Sequence, residues 1–323
     1  MTPRRVFITG ASGFIGRALA DRYRALGAEV RGVDVTADPE RDVLAGDTSM
    51  PGPWQRRAEG CDLVLHTAAI VSFRGSPDDF WGVNVRGTRH ALDAAVRGGA
   101  GRFVHLSSVT AFSFTFPDGV DERHPIRTNG SPYVDTKVAS EQVVLQAHAA
   151  GELPCTVIRP GDVYGPGSRP WTILPVEQIK AGRWLLPARG RGLMSPIYID
   201  NLVDGVALAA ESPGAAGEVF TLTDGRGVST ADFFGRYARM LGKDGVPSLP
   251  NALAKPLAGA VYGVSLLAGA TGNEINPTTA TYLSRTGTYS IAKARAMLGY
   301  GPNVDLDEGF ARTERWLAEE GLL

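Results

Sequence analysis

The sequence predicts an α/β fold in which a doubly wound parallel sheet is combined with a smaller, interleaved C-terminal domain. Over the first half of the chain, short apolar runs typical of buried strands alternate with segments of helical spacing. This alternation indicates right-handed βαβ units. Beyond Gly167 the alternation stops, and prolines and glycines become frequent. We therefore expect a first domain over residues 1–170, its sheet completed by segments near 197–224, and a smaller domain over 171–323.

The predicted strands are 6–8, 29–34, 61–66, 102–106 and 154–159, with short strands returning to the sheet at 197–200 and 218–222. Helices are predicted from apolar spacing at 17–23, 79–96, 131–145, 231–241 and 307–320. A further short helix is predicted at 54–60.

A glycine-rich turn joins the first strand to the first helix. Gly10, Gly13 and Gly16 occur there in the spacing G-x-x-G-x-x-G. Gly10 permits a tight turn, Gly13 lets a phosphate approach the backbone, and Gly16 lets the helix pack close to the strand. Because backbone N–H groups and the positive end of a helix converge here, the turn suits a pyrophosphate.

The second predicted strand ends in an acid, Asp34, about twenty residues after the glycine turn. In a dinucleotide fold, such an acid accepts hydrogen bonds from the adenosine ribose hydroxyls, and its charge repels a 2′-phosphate. Val35 and Thr36, which follow, offer no cation to such a phosphate. The pattern favours NAD over NADP, the alternative being a surface aspartate that merely closes a strand.

Two further strand ends carry residues suited to a site. Thr67, Ala68 and Ala69 follow the third predicted strand, and their small side chains would let a cofactor lie against the backbone. Ser107 and Ser108 follow the next strand. The second of these serines is placed to hydrogen-bond a substrate oxygen.

Tyr133 and Lys137 are four residues apart on a predicted helix, so their side chains share one face. A nearby ammonium group lowers the pKa of a tyrosine, which would make the phenolate accessible near neutral pH. The simpler interpretation is a surface tyrosine beside a lysine. The upstream glycine turn, Asp34 and the serine-bearing strand end instead favour a catalytic set of Ser108, Tyr133 and Lys137.

Together these motifs resemble the extended short-chain dehydrogenase/reductase family, which is the NAD-dependent epimerase/dehydratase superfamily. The matching segments are 9–16, 34, 46–47, 66–69, 84–88, 107–108, 133–137, 159–166 and 198–201. The resemblance implies a Rossmann domain that binds NAD and a smaller domain that binds substrate. It also implies that Tyr133 is the acid/base, Ser108 its partner and Lys137 the group that tunes it.

The resemblance further implies that Asp47 and Thr48 lie near the adenine, and that residues after Pro160 contact the carboxamide. The expected NAD-binding residues are then Gly10, Ser12, Gly13, Phe14, Ile15, Gly16, Asp34, Asp47, Thr48, Thr67, Ala68, Ala69, Ser107, Tyr133, Lys137, Pro160 and Val163.

Within the family, segments 198–205 and 292–309 resemble the 3β-hydroxysteroid/sterol dehydrogenase branch. The arginine with which nucleotide-sugar epimerases grip a diphosphate is replaced by Met194. The asparagine that precedes the Val-Tyr-Gly segment in those epimerases is replaced here by Asp162, an anion that would disfavour a neighbouring phosphate. The apolar stretch 249–270 suits either an adaptable wall for an apolar substrate or a packed helix of the small domain.

The resemblance therefore implies an NAD-dependent oxidoreductase that interconverts a secondary alcohol and a ketone on an apolar, steroid-like substrate. Two alternatives stay open. The first is a nucleotide-sugar epimerase or reductase, for which Arg183, Arg189 or Arg191 would supply the phosphate grip. The second is a sensor that binds NAD without turnover, which the intact catalytic residues argue against because a sensor needs no acid/base.

Composition narrows the possible partners and compartment. The formal net charge is −1 with 21% charged residues, so there is no basic field for nucleic acid. No leader precedes the first strand, and the longest weakly polar run is too short to span a bilayer, so we expect a cytoplasmic protein. The two cysteines and the isolated histidines show no metal-ligand spacing, so no metal is expected. By the resemblance, helices at 79–96 and 131–149 are expected to form a homodimer interface.

Overall fold

The computed structural model describes residues 2–267 and 276–323. Its strands are β1 Arg5–Thr9, β2 Glu29–Asp34, β3 Val43–Ala45, β4 Leu63–His66, β5 Arg102–Leu106, β6 Cys155–Pro160, β7 Asp162–Tyr164, β8 Leu193–Met194, β9 Pro196–Tyr198, β10 Val219–Leu222 and β11 Val228–Ser229. Its α-helices are α1 Phe14–Ala25, α2 Pro77–Phe80, α3 Gly87–Gly98, α4 Pro132–Ala149, α5 Leu174–Lys180, α6 Ile199–Glu211, α7 Thr230–Met240, α8 Asn251–Leu267, α9 Pro277–Tyr282, α10 Ala292–Leu298 and α11 Leu306–Glu319. Two π-helical segments, Trp81–Arg86 and Arg169–Ile173, directly precede α3 and α5.

Seven strands form one parallel sheet in the order β10-β6-β5-β4-β1-β2-β3. From β1 the chain first builds outward to β3 and then returns to the other side of β1 with β4, which is the doubly wound arrangement. The predicted fold class is confirmed. The edge strand β3 was not predicted, because three residues are too few to show a strand pattern.

Side chains of the sheet alternate between two helical layers. On β1, Val6 and Ile8 pack into the cluster that contains residues of α1 and α6, whereas Phe7 packs into the cluster that contains residues of α3 and α4. A parallel sheet covered on both faces needs apolar side chains on both sides of each strand. The central strands are therefore recognisable in the sequence as unbroken apolar runs.

The return of residues 197–200 to the main sheet is a wrong prediction. β9 instead pairs with β7 in a separate two-stranded sheet, and α6 begins at Ile199. The chain leaves the main sheet at Gly161, where a Cβ would clash with the Ser195 carbonyl oxygen. This close approach of two backbones sets β7 beside β9. The strand predicted at 218–222 is confirmed, because β10 pairs with β6 at the sheet edge.

The later part of the chain is mostly helical, with β11 paired antiparallel to β8. The helices predicted at 231–241 and 307–320 are confirmed as α7 and α11. The apolar stretch 249–270 contains α8, which packs against α9. Residues 268–270 of that stretch lie outside the described part of the chain.

Within residues 2–267 and 276–323, no helix is long and apolar enough to cross a membrane. The same residues contain no cluster of three or more metal-ligating side chains. Cys61 and Cys155 are buried free thiols.

Candidate active site

A cavity of about 830 Å³ opens at the carboxyl ends of the strands, around the point where the strand order reverses. Ligands of doubly wound folds bind at this point. The cavity is lined by every predicted site residue except Ser12: Gly10, Gly13, Phe14, Ile15, Gly16, Asp34, Asp47, Thr48, Thr67, Ala68, Ala69, Ser107, Ser108, Tyr133, Lys137, Pro160 and Val163.

The glycine turn has the shape that a dinucleotide requires. Gly10 has a φ of +71°, and a Cβ there would lie 2.7 Å from the Ala68 backbone nitrogen. A Cβ at Gly16 would clash with the Gly10 carbonyl oxygen, so α1 packs on the turn only because this residue is glycine. α1 follows Gly13 with no side-chain cap and no acid in its first turn. The helix start can therefore accept a pyrophosphate.

Asp34 lies at the end of β2 with its carboxylate held in place. One carboxylate oxygen accepts a hydrogen bond from the Ser12 backbone N–H at 2.9 Å, and the other accepts one from the Val35 N–H at 2.7 Å. Ser12 itself does not line the cavity, and its hydroxyl is buried without a hydrogen-bond partner among the described residues. Ser12 thus acts on the site only through its backbone N–H, which holds the Asp34 carboxylate. Val35 is 75% exposed and supplies no positive charge.

Asp47 and Thr48 line the cavity on a loop that is tied to the rest of the domain. The Asp47 carboxylate accepts a hydrogen bond from the Ser49 N–H at 2.8 Å. The Thr48 carbonyl oxygen lies 2.9 Å from Nδ1 of His90, which belongs to α3. This loop is therefore fixed before any ligand binds.

Tyr133 and Lys137 project from the first turns of α4, which begins at Pro132. Lys137 Nζ donates a hydrogen bond to the Leu106 carbonyl oxygen at 2.8 Å and lies 6.0 Å from the Tyr133 ring centroid. Ser108 lies close enough to Tyr133 to lower the pKa of its phenol. The Ser108 Oγ accepts a hydrogen bond from the Thr110 N–H at 3.1 Å. The three predicted catalytic side chains thus meet at the end of β5.

The expected lowering of the Tyr133 pKa is wrong for the protein by itself. Burial raises the pKa of Tyr133 to about 12, with the Ser108 hydrogen bond acting in the opposite direction. Burial lowers the pKa of Lys137 to about 8, and the charge of Glu141 opposes this change. The ammonium group is engaged with the Leu106 carbonyl oxygen, so desolvation dominates at the phenol.

A buried ionic network lies next to Ser107 and Lys137. Glu141, one turn after Lys137 on α4, accepts hydrogen bonds from Arg159 at 2.9 and 2.7 Å and from Ser107 Oγ at 2.5 Å. The side chains of Glu141 and Arg159 are 0% and 4% exposed, so removing one partner would leave a buried charge at a cost of about 3–5 kcal/mol. Sequence reasoning missed Glu141, although its spacing from Lys137 places it on the same helical face.

His66 and His105 lie in the core, where both side chains are buried. His66 Nδ1 lies 2.7 Å from Thr9 Oγ1 and its Nε2 lies 3.0 Å from Thr88 Oγ1. The two imidazole rings stack with centroids 5.4 Å apart. Burial lowers the pKa of His66 to about 3 and that of His105 well below its ordinary value, so both rings are neutral.

Four large aromatic residues that sequence reasoning missed also line the cavity: Phe73, Trp171, Trp184 and Tyr282. We call them the aromatic wall. The Phe73 ring contacts the Tyr133 ring edge-on, with ring centroids 5.8 Å apart. Trp171 stacks on Tyr282 with centroids 5.6 Å apart and 22° between their planes. All four lie outside the predicted strands, so no apolar periodicity marked them.

The sequence arguments about the substrate that rest on Met194 and Asp162 are wrong, because neither residue lines the cavity. Met194 is buried. For the stretch 249–270 the structure favours the packed helix over the substrate wall, because α8 packs against α9 and no described residue of α8 lines the cavity. Asp162 is also absent from the cavity lining, and its carboxylate is paired with the buried guanidinium of Arg285. It therefore presents no free negative charge to a phosphate.

Positive charge is sparse around the cavity. Arg183, Arg189 and Arg191 are exposed and do not line it. Among the described residues, the cationic side chains on its lining are Lys137 and Arg169. Lys137 is bonded to a backbone carbonyl, and the Arg169 side chain is 66% exposed.

The model of the NAD dependent epimerase/dehydratase family matches residues 6–222, which include the whole glycine turn and all three predicted catalytic residues. The chain belongs to this family. The resemblance to extended short-chain dehydrogenase/reductases is thereby confirmed, and NAD is the cofactor of this oxidoreductase.

Two curated relatives extend over nearly the whole chain. A 4-hydroxy-2-methyl-3-oxo-4-farnesyl-3,4-dihydroquinoline-1-oxide ketoreductase of Stigmatella aurantiaca is 33% identical over 94% of both chains. A 3-beta-hydroxysteroid dehydrogenase of Mycolicibacterium neoaurum is 29% identical over 95% of this chain and 89% of that one. Among solved structures, MoeE5 in complex with UDP-glucose and NAD superposes with a TM-score of 0.78 at 24% identity, covering 98% of this chain and 99% of the other. This last likeness confirms the fold.

Proposed function

We propose that this enzyme interconverts a secondary alcohol and a ketone on an apolar, steroid-like substrate, with NAD as the hydride carrier. The observation that carries the proposal is the aromatic wall, which continues from the catalytic Tyr133 through its contact with Phe73. Ring contact and apolar burial, at about 25 cal/mol per Å², can supply the affinity for such a substrate. The names of the two curated relatives, a ketoreductase and a hydroxysteroid dehydrogenase, support the same reaction class.

The residues on the cavity fit a dinucleotide, because a side chain at Gly10 or Gly16 would fill the turn and the start of α1 is uncapped. The glycine turn would hold the pyrophosphate, Asp34 the adenosine ribose, and Asp47 and Thr48 the adenine. When bound, the cofactor supplies the hydride for ketone reduction and accepts it in alcohol oxidation.

Tyr133 moves the proton. In reduction, its phenol O–H bond breaks and the proton goes to the ketone oxygen, as the carbonyl carbon gains a C–H bond. The resulting phenolate takes a proton from solvent after turnover. A pKa of about 12 keeps the phenol protonated at neutral pH, so it is ready to act as this acid.

Ser108 and Lys137 support that transfer. Because Ser108 Oγ already accepts a hydrogen bond from the Thr110 N–H, its hydroxyl hydrogen is left to donate to the substrate oxygen or to Tyr133. Lys137 holds a positive charge within reach of the tyrosine ring and stabilises the phenolate that reduction leaves behind. It is also placed to hold the nicotinamide ribose.

A nucleotide sugar fits the cavity less well. Burying its two phosphates without cations would be costly. Within the described chain, the cations on the lining are Lys137, which is already hydrogen-bonded to a backbone carbonyl, and Arg169, which is mostly exposed. The runner-up function, nucleotide-sugar epimerisation, therefore lacks a diphosphate grip in the described residues.

The test is a substrate panel of 3-ketosteroids, aliphatic 3-keto acids and UDP-sugars, followed by NADH absorbance and product analysis, with Tyr133→Phe as the inactive control. We expect turnover of apolar ketones and binding that changes little with salt, since the contacts are apolar. Tight, salt-sensitive binding of a UDP-sugar together with a C4-epimerised product would overturn the proposal in favour of the runner-up.

A further inference from the structure

Tyr282, at the end of α9, is held by a buried charged pair. Its hydroxyl donates a hydrogen bond to the Asp162 carboxylate, which also accepts one from the Ser195 N–H at 2.7 Å. Arg285 forms an ion pair with Asp162, and both of these side chains are fully buried. The Arg285 guanidinium lies 3.7 Å from the centroid of the Tyr282 ring. The ring is thus restrained at its hydroxyl and across its face.

Stability alone gives no reason for this arrangement. Taking a carboxylate and a guanidinium out of water carries a desolvation cost that a buried pair often does no more than offset, and apolar side chains of similar volume are often as stabilising. Here, Nε and Nη1 of Arg285 are also buried without hydrogen-bond partners among the described residues. The pair is therefore better explained by what it positions.

The ring that it positions faces the cavity. Tyr282 is only 4% exposed, yet it lines the cavity and stacks on Trp171. Its ring also contacts Phe73 at 5.5 Å, and Phe73 contacts the catalytic Tyr133 at 5.8 Å. One aromatic residue therefore separates the restrained ring from the proton donor.

The pair also ties two parts of the chain together. Asp162 begins β7, between Pro160 and Val163, which line the cofactor side of the cavity. Arg285 follows α9, more than a hundred residues later. The position of the Tyr282 ring is thereby fixed relative to the strand end that would contact the nicotinamide.

We propose that Tyr282 is a specificity-determining residue, held by the positioning residues Asp162 and Arg285, and that its ring selects flat ring ketones over open-chain ketones. This inference rests on the proposed function. The stacked pair of Trp171 and Tyr282 forms a rigid apolar part of the cavity lining. A flat ring substrate that packs against this pair gains contact area, whereas an open-chain ketone needs only the groups around Tyr133.

The test compares a 3-ketosteroid with a short open-chain 3-keto acid in wild type, Tyr282→Leu and Tyr282→Phe. Tyr282→Leu should raise KM for the steroid by about tenfold, which corresponds to about 1.4 kcal/mol. For the same variant, kcat for the steroid and kcat/KM for the open-chain ketone should each change by less than about threefold. Tyr282→Phe, which keeps the ring, should recover most of the steroid affinity. The double variant Asp162→Asn/Arg285→Met removes both charges and should raise KM for the steroid while leaving kcat unchanged.

Tyr289→Leu is the matched control. Tyr289 is a tyrosine of similar burial that does not line the cavity, so the same change there should leave the preference between the two ketones unaltered. NADH binding checks that each variant is folded. If Tyr282→Leu does not bind NADH, Tyr282→Phe and the double variant decide the question.

The outcomes separate the inference from the proposed function. If wild type reduces both ketones and the Tyr282 and double variants keep its preference, the inference fails while the proposed function stands. If wild type reduces no apolar ketone, the proposed function fails and the inference falls with it. A loss of kcat/KM by the same factor for both ketones would show a merely structural role for Tyr282 and would also overturn the inference.

Discussion

Replacing Tyr133 with phenylalanine removes the proton donor and keeps the ring. The ring is anchored by its edge-on contact with Phe73 and by its place in the first turn of α4, so the cavity should keep its shape. What is lost is the phenol hydroxyl, which is the proposed proton donor. A positioned general acid contributes about 10²–10⁴-fold, so kcat for ketone reduction should fall by that factor while the dissociation constant for NADH stays nearly constant.

The pH dependence of the wild-type rates is a second, independent test of Tyr133 as the acid/base. With a Tyr133 pKa of about 12, the phenolate fraction at neutral pH is on the order of 10⁻⁵. Reduction needs the neutral phenol, which this raised pKa preserves, so its rate should be flat from about pH 6 to 8. Oxidation needs the phenolate, so its rate should rise about tenfold per pH unit over the same range, before Lys137 begins to lose its proton near its pKa of about 8.

Initial rates in both directions, followed by NADH absorbance with wild type and Tyr133→Phe, measure both effects. A phenylalanine variant that retains a near-normal rate would remove Tyr133 from the mechanism. An oxidation rate that is already at its plateau near pH 6 would show instead that the phenol ionises far more easily than its burial implies.

Two further predictions concern the cofactor and the assembly. Asp34→Ala combined with Val35→Arg should shift the cofactor preference from NAD toward NADP. The first change removes the carboxylate that repels a 2′-phosphate, and the second adds a cation at an exposed neighbouring position. An unmodified enzyme that already prefers NADP would contradict the role of Asp34. We also propose a homodimer formed through the helical segment 77–98 and α4. Within that segment, the large apolar side chains of Trp81 and Val96 are 46% and 38% exposed. Light scattering should give twice the chain mass, and a monomer at micromolar concentration would refute the dimer.

The cofactor half of the site was predictable because its chemistry is carried by local sequence. Gly10 and Gly16 lie at positions where a Cβ would collide with backbone, and Asp34 ends a strand about twenty residues after the glycine turn. Tyr133 and Lys137 share a helical face by spacing alone. These residues could therefore be proposed from one turn or one helix, and all of them line the cavity.

The substrate half was not predictable in this way, because its residues come together only through tertiary contacts. Phe73, Trp171 and Tyr282 belong to separate segments and meet across the cavity. Asp162 looked like a free anion because its partner, Arg285, lies 123 residues away in the sequence. The Tyr133 pKa was misjudged for the same reason, since burial, which spacing does not show, outweighs the nearby ammonium.

The most direct test of the proposed reaction is the fate of the hydride. The enzyme should be incubated with NADH deuterated at the transferring position and a 3-ketosteroid, and the product analysed by mass spectrometry. The proposed function predicts one deuterium on the new carbinol carbon and one NADH consumed for each alcohol formed, with loss of both in Tyr133→Phe. No label in any apolar ketone, together with epimerisation of a UDP-sugar without net consumption of NADH, would contradict it.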